Sequence, residues 1–422
     1  MPAVTKPKLP VPSVAGATVA LVLLTALNFV NYIDRYILPA VQEQVKGEFR
    51  LSDDQLGSLT LWFMVAYMGA SPITGWLGDR FPRKWMIVLC ALAISACNFF
   101  TADVQSYGSL NLRHAALGIG EASFGIFAPA MLADFYPDDQ RNRVMTIFNI
   151  AIPVGAALGF LAGGVIGHRY GWRQSFVASA VPGALIAILI AIFLKEPERG
   201  TDGMGKQKSS HGLWSELTAL ATNKPYLCSI FGYAAVTFSL GGISVWMASF
   251  LQRMNGYSQE KAAGVMGPVI VVAGLGGTVC GGLLAQWWSK RTPKALYLVP
   301  AWSAVLAVPP ALVCFFGPPS LTIAGLSVAV FLIFQGTGPV NASTLNAVRP
   351  EMRSMAMAGQ LLIIHLFGDA ASPKLIGMIS DRSNLRIGLG ATLVTMVLGG
   401  VIFFIGSKVT PQTTAVDVEA TA

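Results

Sequence analysis

Apolar runs recur along the whole of this chain, each about 20 residues long and therefore able to cross roughly 30 Å of hydrocarbon as a helix. No other feature restricts the fold so strongly. Inside a bilayer each backbone N–H and C=O must find its partner within the segment or in a closed barrel, so long continuous apolar runs become helices. Twelve are predicted: 17–44, 55–79, 84–102, 107–135, 141–167, 172–194, 225–252, 259–287, 294–315, 320–347, 354–380 and 385–407. Composition agrees. The 422 residues are 54% hydrophobic and 12% charged, about half the charge of a soluble domain.

A net charge of +8 invites a nucleic-acid reading, but the placement of the charges opposes it. With both termini in the cytoplasm, only Lys46, Arg50, Arg169, Arg173, Arg253, Lys261, Arg382 and Arg386 fall outside. Arg35, Arg113 and Lys374 fall within spans, and the remaining 18 of the 29 basic residues lie inside. This is the positive-inside asymmetry of a membrane protein. Lys6 and Lys8 before the first apolar run imitate a signal peptide, yet the run is too long and eleven more follow, so it reads as the first helix. Cys90, Cys97, Cys228, Cys280 and Cys314 all sit in spans without a C-x-x-C pair and read as small apolar core residues.

The longest polar interruption, "KEPERGTDGMGKQKSSHGLWSELTALATNKP" (195–225), divides the spans six and six. Its Gly, Ser and mixed charge mark a flexible linker, and "LWSELTAL" within it has the pattern of an amphipathic helix at the membrane face. The chain therefore divides into an N-terminal half (1–195), a cytoplasmic linker (196–224) and a C-terminal half (225–422) with a short cytoplasmic tail. Transporters built from two repeats place their site between the halves near the midplane. A trace of the repeat survives: "GWLGDRFPRK" (75–84) after the second span aligns with "GLLAQWWSKR" (282–291) after the eighth.

Charged residues within a membrane span are costly and mark functional sites. In the first span Asn28, Asn31 and Arg35 share one helical face, with Tyr32 and Asp34 beside it. The fourth span carries Arg113 and Glu121 with Gly118 and Gly120 between them, and the eleventh carries His365, Asp369 and Lys374. His365 and Asp369, four residues apart, share a face. Asp369 is expected to pair with Lys374 or across to another helix and, with it, to gate the second half. The tenth span contains a polar stretch, "QGTGPVNASTLN" (335–346), expected to line the cavity or to bend at Pro339.

"GWLGDRFPRK" resembles the loop signature of the major facilitator superfamily through Gly75, Leu77, Asp79, Arg80, Arg83 and Lys84, with Pro82 in place of a Gly. "RHAALGIGEASFG" (113–125) resembles that superfamily's fourth-helix pattern. Within it, "NYIDRYILPAV" (31–41), "GIGEASFGIFAPAMLADFYP" (118–137) and "HLFGDAASPKLIGMISDRS" (365–383) are similar to the Spinster family. The resemblance implies an all-α membrane protein of twelve transmembrane helices in two pseudo-symmetric six-helix halves. It implies that Asp79, Arg80 and Arg83 latch the halves in the outward-facing state, and that the first and fourth helices adjoin in the cavity. Asp34, Arg35, Arg113 and Glu121 would then form one network of zero formal charge. It further implies a lysophospholipid- or sphingoid-type substrate and proton coupling.

The site assignment that follows gives Arg35, Arg113, Asn28, Asn31 and Tyr32 to substrate, and Glu121, then Asp34, to the proton. Burial disfavours a carboxylate's charge and a nearby Arg favours it, so movement between them can load and release a proton. Small-x-x-x-small spacing of Gly155, Gly159 and Gly163 predicts close helix packing. A small organic anion or drug-like molecule is the alternative substrate, since Arg35 and Arg113 would serve it equally. A membrane-embedded enzyme would need a motif such as H-E-x-x-H or G-x-S-x-G, and neither occurs. Without a phosphate-binding G-x-x-x-x-G-K-[ST] there is no reason to expect an ATP-driven pump. The expectation is a monomer in a bacterial cytoplasmic membrane, with an amphiphile, protons and membrane lipids as partners, and with no cofactor, metal or nucleic acid.

Overall fold

The computed structural model describes residues 14–197 and 213–410. It contains twelve helices long and apolar enough to cross a membrane. The first six are α1 (Gly16–Phe49), α2 (Asp53–Gly78), α3 (Arg83–Thr101), α4 (Tyr107–Phe135), α5 (Arg143–Tyr170) and α6 (Trp172–Phe193). After a short helix, Leu213–Thr222, come α7 (Lys224–Asn255), α8 (Gln259–Ser289), α9 (Ala295–Phe316), α10 (Pro319–Asn346), α11 (Arg353–Arg382) and α12 (Leu385–Val409).

Local chemistry sets where these helices begin. Ser52 accepts from the Gln55 N–H while the Gln55 side chain accepts from the Ser52 N–H, a capping box that starts α2. Asn223, Ser258 and Asn384 cap α7, α8 and α12 through their side-chain oxygens. α1 ends on Arg50 in the left-handed region (φ 52°), a position Gly usually fills.

Several helices are interrupted, and the interruptions fall near the middle of their spans. α10 breaks at Gln335 and Gly336. Pro339 lacks the N–H that would bond the carbonyl four residues earlier, which is that of Gln335. The bend expected at Pro339 is therefore one turn upstream. α8 widens to a π-helical turn at Val269–Gly274, directly after Pro268, and α11 does so at His365–Asp369. Such turns are frequent at functional sites.

Packing divides the bundle into two unlike ends. At the end far from the linker, one apolar core joins both halves through Val41, Leu59, Trp246, Phe250 and Ile376, and it continues within the second half to Tyr297 and Phe403. At the linker end, α1 and α3–α6 enclose a core of their own around Leu24, Ile87, Phe127 and Phe148. A separate small cluster, Leu220, Tyr226, Ile230 and Ala356, belongs to the second half. The linker helix thus packs Leu220 into the C-terminal half while Trp214 stays exposed. Of α7's apolar window 83% is buried, against 33% for α6; α7 is central and α6 presents an apolar side to lipid.

Small residues set the close approaches. A Cβ on Gly159 would lie 2.5 Å from the Ile33 carbonyl oxygen, and Gly155 and Gly163 meet α1 in the same way. The three glycines expected to allow close packing do so, against α1.

Candidate functional site

A cavity of about 390 Å³ lies between the halves. From the N-terminal half Arg35, Tyr36, Phe63, Met64 and His114 face it. Opposite are Tyr233, Thr237, Leu240 and Ser244 of α7, Met266, Val269 and Ile270 of α8, Val330, Phe334 and Thr337 of α10, and Asp369 of α11. Both helix irregularities of α8 and α11 therefore border it. Most of this lining is apolar, and the charged groups are few and localised.

Arg35 is the cationic group of the cavity. Its Nε and Nη2 both donate to Glu121 Oε2, at 2.9 and 2.6 Å. The guanidinium also lies within 5.2–5.7 Å of the ring centres of Tyr32, Phe63 and Tyr67, a cation–π box that holds it in a dry setting. Glu121 is 6% exposed and the Arg35 side chain 24%, so the arginine presents itself to the cavity with the carboxylate behind it. Gly118 lets α4 approach α2, which carries Phe63 and Tyr67 of that box: a Cβ there would lie 2.3 Å from the Phe63 carbonyl oxygen. Tyr36, Phe63 and His114 were not picked out by sequence reasoning. The available signal was the i, i+4 aromatic pairs Tyr32/Tyr36 and Phe63/Tyr67.

The rest of the expected four-membered network is not assembled. Asp34, next to Arg35 in sequence, is rotated about a quarter turn round α1 and stands against Ser179 of α6 and Asn98 of α3. Arg113 does not reach Glu121; its Nη1 is buried without a hydrogen-bond partner, and it is not among the cavity-lining residues. Asn28 donates to the Phe148 carbonyl at 2.9 Å, and Asn31 is buried with its Nδ2 unpartnered. The helical face is real, but only Arg35 on it opens into the cavity.

In α11, Asp369 pairs with His365 across one turn, Nδ1 to Oδ2 at 3.0 Å, and the His365 ring is 5.9 Å from that of Tyr67. Lys374 does not pair with Asp369. It reaches α2, 3.2 Å from Asp54 Oδ1 and 3.0 Å from Ser58 Oγ. The two residues grouped in sequence thus act at different places: Asp369 at the cavity, Lys374 at the seam between halves.

That seam is closed at the far end by ions. Arg253 of α7 holds Glu43 of α1 through Nε and Nη2 (2.8 and 2.6 Å) and Asp53 of α2 through Nη1 and Nη2 (2.7 and 2.9 Å). Two-pronged pairing of this kind is the strong form of an ion pair. Asp53 also binds Lys46 and accepts from Ser380 Oγ at 2.5 Å. The Asp381 carboxylate accepts from the N–H groups of Asp53 and Asp54, each at 2.8 Å, at the positive end of α2. Lys46 and Arg253, exterior charges by the sequence, are both members of this cluster.

At the linker end, Arg83 forms an ion pair with Asp134 and donates to the Ala130 carbonyl at 3.2 Å. Glu196 accepts from the N–H groups of Arg83 and Lys84, both at 2.7 Å, tying the start of the linker to the first turn of α3. Arg80 lies on the Trp76 ring of its own helix, 3.9 Å from the ring centre. The Asp79 side chain lies outside the described residues. Among the described residues, these contacts of Arg80 and Arg83 stay within the N-terminal half and the start of the linker, and neither reaches the C-terminal half.

The sequence matches the family described as Major Facilitator Superfamily over residues 24–359. It is 30% identical over 422 residues to the Sphingosine-1-phosphate transporter SPNS2 of Danio rerio, covering 91% of this chain and 83% of that one. It is 31% identical over 385 residues to Protein spinster homolog 1 of Xenopus tropicalis (86% and 72%) and 30% identical over 375 residues to Protein spinster of Drosophila melanogaster (85% and 61%). Among solved structures, it superposes with a TM-score of 0.86 and 24% identity on a bacterial homolog of the human lysosomal transporter Spinster in an inward-facing, unoccupied conformation, covering 94% of this chain and 98% of that one. A D-xylose-proton symporter shares the fold at a TM-score of 0.74 and 15% identity (94% and 98%).

Proposed function

As a Spinster-like member of the major facilitator superfamily, this chain is a membrane transporter and not an enzyme, and we propose that it moves a single-chain amphiphile of lysophospholipid or sphingoid type by proton-coupled alternating access. The observation that carries the substrate class is the unlike pair of walls. One wall offers the Arg35 guanidinium, and the other is a largely apolar surface of α7, α8 and α10. An anionic or zwitterionic head meets Arg35 while its chain lies along α7 and α8. That division favours an amphiphile over a small organic anion, which would leave the apolar wall unmatched. The volume falls in the range of roughly 300–1,000 Å³ usual for small-molecule sites.

Residues 1–195 and 225–422 are the two moving bodies and 196–224 their tether. With the linker in the cytoplasm, the sealed far end is the exterior gate, and the conformation is inward-facing. Opening that gate requires Arg253 to release Glu43 and Asp53, while the linker end closes around Asp79, Arg80 and Arg83.

Glu121 is the coupling acid. Its proton releases Arg35 to meet the head group, and its deprotonation restores the internal pair, so proton and substrate are linked through one guanidinium. Asp34 faces α3 and α6 and does not compete for Arg35. The test is uptake of a lysophospholipid into proteoliposomes with an imposed pH gradient. Glu121→Gln keeps the shape of the protonated acid, so it retains lipid binding and loses gradient-driven uptake. Full gradient-driven uptake by Glu121→Gln removes the coupling role. Tighter binding of a short hydrophilic acid than of any single-chain lipid removes the substrate assignment.

A further inference from the structure

Between α1, α3 and α6, away from the substrate cavity, lies a second group of buried polar side chains. Two levels one helical turn apart define it. At the first, Gly183 of α6 faces Ser95 of α3, where an added Cβ would be 2.6 Å from the serine Oγ and 3.6 Å from Val30 Cγ1 of α1. One turn along each helix stand Asp34, Asn98 and Ser179, and the Asp34 carboxylate lies against the other two. All are within the fold: Asp34 is 4% exposed, Asn98 0% and Ser179 5%. Asp34 Oδ1, Ser95 Oγ and both polar atoms of Asn98 have no hydrogen-bond partner among the described residues. Ser179 donates its proton to the Phe176 carbonyl at 2.9 Å, leaving its oxygen lone pairs free to coordinate.

Oxygen atoms in this arrangement call for a positive charge. A buried carboxylate is very costly even with Ser179 and Asn98 beside it, so Asp34 takes up a proton or a cation, and the charged side chain whose field reaches it is Glu121, of the same sign. Arg35 does not compensate it, because its guanidinium turns the other way, to Glu121 and the cavity. Ser95 and Asn98 cannot, having no charge. Hard carboxylate, amide and hydroxyl oxygens suit an alkali or alkaline-earth cation. One carboxylate balances a single positive charge, so the cation is monovalent. The close approach of α3 and α6 at Gly183, one turn away, favours the smaller Na⁺ over K⁺. We propose that Asp34, Asn98, Ser95 and Ser179 form a sodium-binding site that holds α1 against α3 and α6. Because Arg35 follows Asp34 on the same helix, the ion also fixes the azimuth at which Arg35 enters the cavity.

The test reads neither lipid nor proton transport. Purified full-length protein in detergent is equilibrated in choline chloride, then given NaCl, KCl or further choline chloride at equal ionic strength. NaCl raises Tm in a saturable manner, since a ligand that binds only the folded state stabilises it by mass action; KCl and choline chloride do not. Asp34→Asn and Ser179→Ala abolish the sodium-specific rise. An equal rise with all three salts overturns the site, as does a rise retained in Asp34→Asn, or a Tm that responds to pH but not to Na⁺. Where the variants do not fold, binding of radioactive Na⁺ to the wild type decides. Saturable binding displaced by unlabelled Na⁺ but not by K⁺ supports the site, and its absence refutes it.

Discussion

Gly57 is the position at which a single methyl group should reset the balance between conformations. It sits on α2 where that helix crosses α11 at the sealed end. A Cβ there would be 2.3 Å from the Pro373 carbonyl oxygen, 2.6 Å from its carbon and 2.7 Å from Lys374 Cα. These are backbone atoms, so no rotamer change relieves the contact, and the helices must part by about 1 Å to reach normal van der Waals separation. Overpacking of this kind costs typically 1–3 kcal/mol. The cost falls only on the conformation in which α2 and α11 meet, so Gly57→Ala should shift the equilibrium away from it by about 5- to 150-fold. Spin labels on Gln105 and Ser383, exposed residues in the far-end loops of the two halves, in a cysteine-free background, report the change. The wild type should give a short distance distribution, and Gly57→Ala a substantial longer component. Gly69→Ala is the control, since nothing lies within 4 Å of a Cβ at that position of the same helix. An unchanged distribution in folded Gly57→Ala protein, or an equal shift in Gly69→Ala, would refute the reasoning.

Three further outcomes follow from the same geometry. Arg253→Ala leaves Glu43 unpaired and Asp53 with Lys46 alone, a loss below the roughly 3–5 kcal/mol of a fully buried broken pair because the cluster is half-buried; the Gln105–Ser383 distance should lengthen. Arg35→Lys keeps the charge but not the planar fork that reaches Glu121 through two nitrogens, so equilibrium binding of a lysophospholipid should weaken, and should weaken further in Arg35→Ala. Ser215, exposed on the linker helix, should resist an impermeant thiol reagent after Ser215→Cys in intact cells and react once the membrane is opened; rapid labelling from outside would invert the topology.

The twelve helices were legible in the sequence because they depend on local quantities, namely the length and apolarity of each run and the caps at its ends. The interior polar residues were legible for a related reason: charge inside hydrocarbon is rare enough to be noticed one residue at a time. Which of those residues meet was decided by tertiary structure. Arg35 and Arg113 look alike in sequence, yet only Arg35 reaches Glu121: Arg113 stands eight residues away on the same helix, about 12 Å along its axis, whereas Arg35 meets the carboxylate from α1. Asp34 and Arg35 are neighbours in the chain, but one residue turns an α-helix by about 100°. One therefore faces α3 and α6 and the other faces the cavity. Lys374 finds Asp54, 320 positions earlier by number, rather than Asp369 on its own helix, and Arg253 joins three helices that no local pattern connects. Such pairs depend on how far each helix is rotated and how closely it packs. Those two quantities are fixed by the bundle as a whole, since each helix turns until its small residues and its charges find room together.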